Sequence, residues 1–208
     1  MGKYSTEKKQ EARREEIIDA CEKLYQTMTF KEITIKEIST ETSFTRPSIY
    51  NYFQTKEEIF LALLQREYER WCRDFSERAV NAIDLTPEGF ADMIARSLEK
   101  REQLLKLLST NYYEMEENSR LERLIEFKIT FAKAFDCLGL TLQKFFPDMT
   151  EAEQESFMIS FFPYMIAVYP YTHSSEKQKA AMQAARIDYT PRSVYKLVYD
   201  FIIKIVEK

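Results

Sequence analysis

Apolar residues recur at helical spacing along nearly the whole chain, as in Ile17, Cys21, Leu24 and Met28, and again in Phe60, Leu64, Tyr68, Trp71 and Phe75. Period-two alternation is sustained nowhere, so the pattern predicts helices and no strands. Helix starts are marked where a Ser or Thr precedes a Glu or Gln by three residues, because each side chain can satisfy a backbone N–H that the first turn leaves unpaired. Such pairs stand at Thr34/Glu37, Thr55/Glu58, Ser119/Glu122, Thr150/Glu153 and Ser175/Gln178, each ahead of an apolar-periodic run. Thr86-Pro87 and Thr190-Pro191 add two starts in which proline occupies the first helical position. The chain therefore reads as all-α with about nine helices, near 7–28, 34–41, 45–52, 55–80, 87–100, 102–114, 119–145, 150–169 and 190–207, and an optional one near 175–186.

The first three helices are joined by only a few residues and must pack as one compact unit. The fourth is too long to serve that unit alone. Its first half, with Ile59, Leu63 and Leu64, can cover the small core, and its second half, with Tyr68, Trp71 and Phe75, reaches a second one. A boundary inside this helix divides the chain into residues 1–58, a helix-turn-helix domain, and residues 59–208, a larger helical domain.

Composition removes most other chemistry. Only 3 glycines are present, against about 15 at ordinary usage, and no Gly-rich phosphate-binding string exists. The net charge of −4 means that any polyanion site must be local. Cys21, Cys72 and Cys137 are widely spaced and odd in number, which argues against a disulfide framework or a zinc cage and for a reducing cytoplasm. The N-terminus lacks an apolar targeting segment, and the longest apolar run, 161–171, is short and holds Pro163 and Pro170, so a soluble protein with no membrane partner is expected. His173 is the only histidine and falls in a loop, so no catalytic arrangement, metal site or cofactor is expected, and an enzyme is not.

The informative segment is Thr34 to Lys56. A short helix capped by Thr34 buries Ile35 and Ile38, a tight turn follows at Thr42 to Phe44, and a second helix opens at Thr45 with Arg46-Pro47 in its first turn. This is helix-turn-helix spacing. The second helix buries Ile49 and Phe53 and presents Arg46, Ser48, Tyr50, Asn51 and Tyr52, with first-turn N–H groups that favour a phosphate. Arg46 suits guanine O6 and N7, Asn51 suits adenine, and the tyrosine hydroxyls and Lys56 suit phosphate oxygens. Two readings stay open for some of these: Tyr50 as a contact or half-buried, Asn51 as a contact or a solvated cap. Ahead of the first helix, Lys3, Lys8, Lys9, Arg13 and Arg14 outnumber Glu7 and Glu11. That stretch is either a DNA-following arm or a frayed, solvated terminus.

At these residues the chain resembles the TetR family of bacterial transcription regulators, through Thr34, Ile38, Thr45, Ser48-Ile49-Tyr50, Phe53 and Lys56-Glu57. The resemblance implies phosphate contacts from Thr34, Thr45, Tyr50, Tyr52 and Lys56, and base-edge contacts from Arg46, Ser48 and Asn51, with Pro47 stiffening the recognition helix. Three positions depart from the family pattern. Ser43 replaces the usual turn glycine, Phe44 the small apolar residue after it, and Thr29 the glycine that ends helix one. Ser43 and Thr29 must use another turn geometry or tolerate about 1 kcal/mol of strain.

In the larger part, the eighth helix is apolar on nearly every side, with Phe157, Phe161, Tyr164 and Val168 on one face and Met158, Phe162, Met165 and Tyr169 on another. Cover from a second copy is expected, with a seam of Phe157, Phe161, Met165, Val194, Val198, Phe201 and Ile205; the resemblance implies the same pairing of the last two long helices. Two copies place their recognition helices ~34 Å apart on a palindromic operator. The resemblance also implies an unknown small-molecule effector, held by Trp71, Phe75, Tyr112, Met115, Phe131, Phe161 and Tyr164, unless these are ordinary core residues. The expected function is a homodimeric DNA-binding repressor released by that effector. The alternative is a DNA-binding interaction protein that is constitutive or regulated by a protein partner.

Overall fold

The computed structural model describes residues 2–83, 85–188 and 190–206, and for residues 2–7 the backbone alone. Among the described residues there are ten helices and no strand. In chain order they are α1 (Gly2–Tyr25), α2 (Ile35–Thr40), α3 (Arg46–Ile49), α4 (Lys56–Asn81), α5 (Pro87–Glu99), α6 (Glu102–Glu117), α7 (Leu121–Phe145), α8 (Glu151–Thr172), α9 (Glu176–Ala184) and α10 (Val194–Val206). The optional helix near 175–186 is thus present as α9. Its Ser175 and Gln178 complete a reciprocal cap, as Thr150 and Glu153 do for α8, and Thr86 caps α5 by accepting from the Gly89 N–H.

Two expected starts are corrected. Helix α7 begins at Leu121, its first turn accepted by the Arg120 carbonyl, because the Ser119 hydroxyl instead donates to Met115 at the end of α6. Helix α10 begins at Val194, since Ser193 supplies both the carbonyl for the Leu197 N–H and the hydroxyl for the Lys196 N–H. That cap lies closer to the apolar run than Thr190-Pro191. Helix α6 extends to Glu117 and leaves helical geometry at Asn111, with φ −148° and ψ 19°.

Contacts divide the chain into two compact units: Met1–Arg66 with Asn111–Ile129, and Glu67–Thr110 with Thr130–Lys208. Helices α4, α6 and α7 contribute residues to both. In the first unit, Ile17, Cys21 and Tyr25 of α1, Ile35 and Ile38 of α2, Ile49 of α3 and Phe60 and Leu64 of α4 are buried. The Phe60 ring meets Tyr25 edge-on at 5.2 Å and Phe30 at 4.6 Å. On the polar side of α4, the Arg66 guanidinium reaches Glu15, Asp19 and Glu22, which share one face of α1.

The second unit is held by rings. Trp71 stacks with Phe75 at 5.6 Å and with Phe161 at 6.2 Å, and its indole N–H donates to the Ser97 hydroxyl at 3.0 Å. Phe90 meets Phe146 and Phe157 at 5.1 and 6.0 Å. Helix α10 packs against α5 and α8, burying Val194, Val198 and Ile202. No helix among the described residues is long and apolar enough to cross a membrane.

Candidate nucleic-acid interface

Helix α2 starts where the Thr34 hydroxyl accepts from the Lys36 N–H at 3.2 Å, and it ends in the turn that carries Ser43 and Phe44. The turn does not use left-handed backbone. Arg186 is the one non-glycine residue at positive φ among the described residues, so neither Ser43 nor Thr29 carries the strain that a missing glycine would impose. Instead the Ser43 N–H donates to Glu16 of α1 at 2.6 Å, a bond that holds the Glu16 carboxyl below its ordinary pKa. Thr29 likewise gives its N–H and hydroxyl to Glu32, at 2.7 and 2.8 Å. Phe44 lies under the Arg13 guanidinium at 5.6 Å.

Helix α3 is only four residues long, and Pro47 in its first turn forfeits no hydrogen bond. Ile49 and Phe53 anchor it, both fully buried. On its other side Thr45, Arg46, Pro47 and Asn51 are exposed, Ser48 and Tyr52 are half-buried, and Tyr50 is 43% exposed. Arg46 lies along the Tyr50 ring and donates to its hydroxyl at 3.2 Å. The Thr45 and Ser48 hydroxyls are 3.0 Å apart.

Lys56 stands differently from the rest. Its ammonium donates to the Phe30 carbonyl at 2.7 Å and sits 4.2 Å from the Phe30 ring centroid, so part of its donor capacity secures the fold. Of the basic N-terminal stretch, Lys8, Lys9 and Arg13 are exposed on α1, whereas Arg14 pairs with Glu126 at 2.9 Å. Lys3 and Glu7 fall outside the described side chains.

Behind this face Glu58, which the sequence marks only as a helix-start residue, joins a cluster with residues of the corner between α6 and α7. Glu58, at the start of α4, is buried and accepts from the Gln54 N–H and from three donors of Arg120, while Arg123 donates to the Tyr52 carbonyl at 3.3 Å. The Glu58–Arg120 and Tyr52–Arg123 partners are more than sixty residues apart along the chain, beyond any motif window.

Residues 17–63 match the family described as bacterial regulatory proteins, tetR family, and residues 65–201 match the tetracyclin repressor-like C-terminal domain. The chain belongs to the TetR family. Solved structures of this fold include the fatty acid degradation regulator FadR from Bacillus halodurans, at 16% identity and TM-score 0.56 over 91% of this chain and 97% of that one. FadR from Bacillus subtilis in complex with stearoyl-CoA gives 14% and 0.56 over 92% and 96%. The TetR family repressor AlkX from Dietzia gives 10% and 0.51 over 93% and 96%. Among curated proteins none matches. Family membership makes the chain a regulator and not an enzyme.

The residues expected to hold an effector in this TetR-family chain divide between the two units. Tyr112 and Met115 belong to the first, where Met115 is buried and Tyr112 packs on Phe127 at 6.2 Å. In the second, Trp71, Phe75 and Phe161 fill one another's space, and Phe131 packs on Tyr68 and Phe162. Tyr164 stacks on Phe201 at 3.7 Å and donates to the Leu197 carbonyl at 2.9 Å. Two cavities of this unit, of about 370 and 420 Å³, are lined by other residues, among them Phe146, Ser156 and Ile205 in one and Ala79, Cys137 and Leu140 in the other.

Of the residues expected at a dimer seam, Phe157, Phe161, Met165, Val194 and Val198 are buried within one chain, while Phe201 and Ile205 are half-exposed. The outer side of α8 carries Ile159, which is 62% exposed, together with Ser160, Pro163 and Ala167. A helix apolar all round does not disclose in sequence which face its own chain covers.

Proposed function

We propose that this TetR-family chain is a homodimeric, sequence-specific DNA-binding regulator of the cytoplasm, a repressor that a small molecule releases from its operator. The observation that carries the reading is the two-sidedness of α3: Ile49 and Phe53 are sealed below, while Thr45, Arg46, Pro47, Tyr50 and Asn51 stand exposed above. The Arg46 fork matches guanine O6 and N7, and Asn51 matches adenine N6 and N7. Thr34, Thr45, Tyr50, Tyr52 and Lys56 take phosphates, which fix register and carry no sequence information, and Ser48 faces a base edge. Arg46 must leave the Tyr50 hydroxyl to reach a base, a small cost at an exposed bond.

The second copy packs on the outer side of α8 and α10, through Ile159, Phe201 and Ile205 in place of the five buried residues. An effector acts by population shift, favouring the dimer whose recognition helices are wrongly spaced for DNA. Stearoyl-CoA, present in a FadR complex of the same fold, is the first probe. A second reading, with no effector or with a protein partner in its place, draws support from the mutual stacking of Trp71, Phe75 and Phe161.

The test is selection from a random duplex pool by the purified chain, followed by titration with acyl-CoAs of several lengths. Enrichment of one palindrome that an acyl-CoA then releases is expected. A pool left unenriched contradicts DNA reading, and an enriched operator indifferent to small molecules favours the second reading.

A further inference from the structure

Helix α3 is too short to be stable alone, so what sets its orientation lies outside it. Its buried anchors Ile49 and Phe53 set its depth, and the Ser43–Glu16 bond ties the turn ahead of it to α1. The contacts on the far end of the recognition segment come from the corner between α6 and α7, within the same unit. Glu58 receives the Gln54 N–H at 2.7 Å, the Arg120 N–H at 3.1 Å and the Arg120 Nε and Nη2 at 2.6 and 2.9 Å. Thr55 donates to the Asn118 carbonyl at 3.1 Å. Both contacts grip residues 54–58, the link that leaves the recognition segment.

Arg123 grips the segment itself. Its Nη2 donates to the carbonyl of Tyr52, its guanidinium faces the Phe53 ring at 5.9 Å, and its Nη1 is held by both Glu126 oxygens at 2.8 and 2.9 Å. Arg14 lies 5.5 Å from the same ring and pairs with Glu126, so two guanidinium groups sharing one carboxylate lie beside the anchor. These bonds commit up to three of the five N–H donors of Arg123 and hold its guanidinium, 22% exposed, against the protein.

We propose that Arg123, supported by the Glu58–Arg120 pair, is a positioning residue for DNA reading: it holds the end of the recognition segment so that Arg46 and Asn51 meet their bases, and it touches no DNA itself. The inference rests on the DNA-binding reading above and assigns to that site a determinant on α7. Base readout demands a bidentate geometry that a small rotation destroys, whereas phosphate contacts tolerate it. Releasing the Tyr52 carbonyl therefore weakens discrimination more than affinity.

The experiment compares full-length wild type, Arg123→Met, Arg123→Lys and Arg120→Lys on the selected operator and on a scrambled duplex, over a range of salt, with folding followed by circular dichroism. Arg123→Met should lower the operator-to-scrambled affinity ratio about tenfold, on the scale of one lost base contact, and leave scrambled affinity and the salt slope unchanged. Arg123→Lys, which keeps a donor for the Tyr52 carbonyl, should recover part of that ratio, and Arg120→Lys should lower it less. An unchanged ratio in folded Arg123→Met overturns the inference. So does an equal loss on both duplexes with a flatter salt slope, which would make Arg123 a phosphate contact. Should Arg123→Met fail to fold, an unchanged ratio in both Lys variants overturns it equally. A wild type without operator preference removes the DNA-binding reading itself; a preference untouched by these variants removes only the positioning role.

Discussion

Both units have buried apolar cores, but the first adds bonds between charged side chains of different helices and the second adds an extended stack of rings. In the first, Arg66 gathers three carboxylates of α1, Glu58 gathers four donors, and Glu16 ties the turn between α2 and α3. In the second, Trp71, Phe75, Phe90, Phe157 and Phe161 are buried against one another. Ring packing fills volume and tolerates small slides, whereas a bidentate guanidinium–carboxylate pair permits one geometry. On the proposed DNA-reading role, Arg46 and Asn51 need the second kind of restraint, and the Glu16, Glu58 and Arg123 bonds lie in their unit.

Four substitutions probe that contrast. The largest effect is expected in the aromatic core, where Trp71→Ala leaves a cavity and removes the donor to the Ser97 hydroxyl, which keeps its bond to the Ile94 carbonyl, and should cost about 4 kcal/mol in denaturant unfolding. A loss under about 1 kcal/mol would mean that the stack is not the keystone of its unit.

Next comes Glu58→Gln, expected to cost about 2 kcal/mol, below the range for a fully buried pair because Arg120 is 38% exposed. Burial alone would raise the Glu58 pKa, but the Arg120 and Gln54 donors outweigh it and hold the carboxyl below its ordinary value. The folded value being the lower, the pair stabilises above the ordinary carboxylate pKa and is lost as pH falls through the lowered one. Acid titration of wild type should show this loss and Glu58→Gln should not; superimposable acid curves would dismiss the pair as a restraint.

Smaller still is Lys56→Met, which removes the bond to the Phe30 carbonyl and the ring contact, at about 1 kcal/mol. On DNA the same variant should weaken all sequences alike and reduce the salt slope by about 1. A stability loss with no change on DNA would confine Lys56 to the fold. The smallest effect is expected from Ser43→Gly. Because Ser43 does not occupy left-handed backbone, glycine relieves no strain there and should cost about 0.5 kcal/mol through added chain freedom; a measurable gain in thermal midpoint would contradict the turn geometry.

What the sequence disclosed follows the range of the interactions. Helix starts made by a hydroxyl and a Glu or Gln side chain three residues apart were legible at Thr34, Thr150 and Ser175, since the whole device lies within one turn. Where two hydroxyls competed, as Ser193 with Thr190-Pro191, spacing alone chose wrongly. The two-sidedness of α3 was legible because Ile49 and Phe53 share a helical face. The Arg123 to Tyr52 bond was not, since its partners meet only in the fold. Nor were the inner and outer faces of α8, where Met165 and Phe161 are buried and Ile159 is not, because apolar residues stand on nearly every side.

Whether the exposed side of α3 reads bases is decided by the affinity of wild type and Arg46→Ala for the selected operator and for every single-base variant of it. The expected result is that Arg46→Ala loses preference at one position of each half-site, by about 1–3 kcal/mol, and keeps it elsewhere. Equal weakening at every position, or no change at any, would contradict base reading.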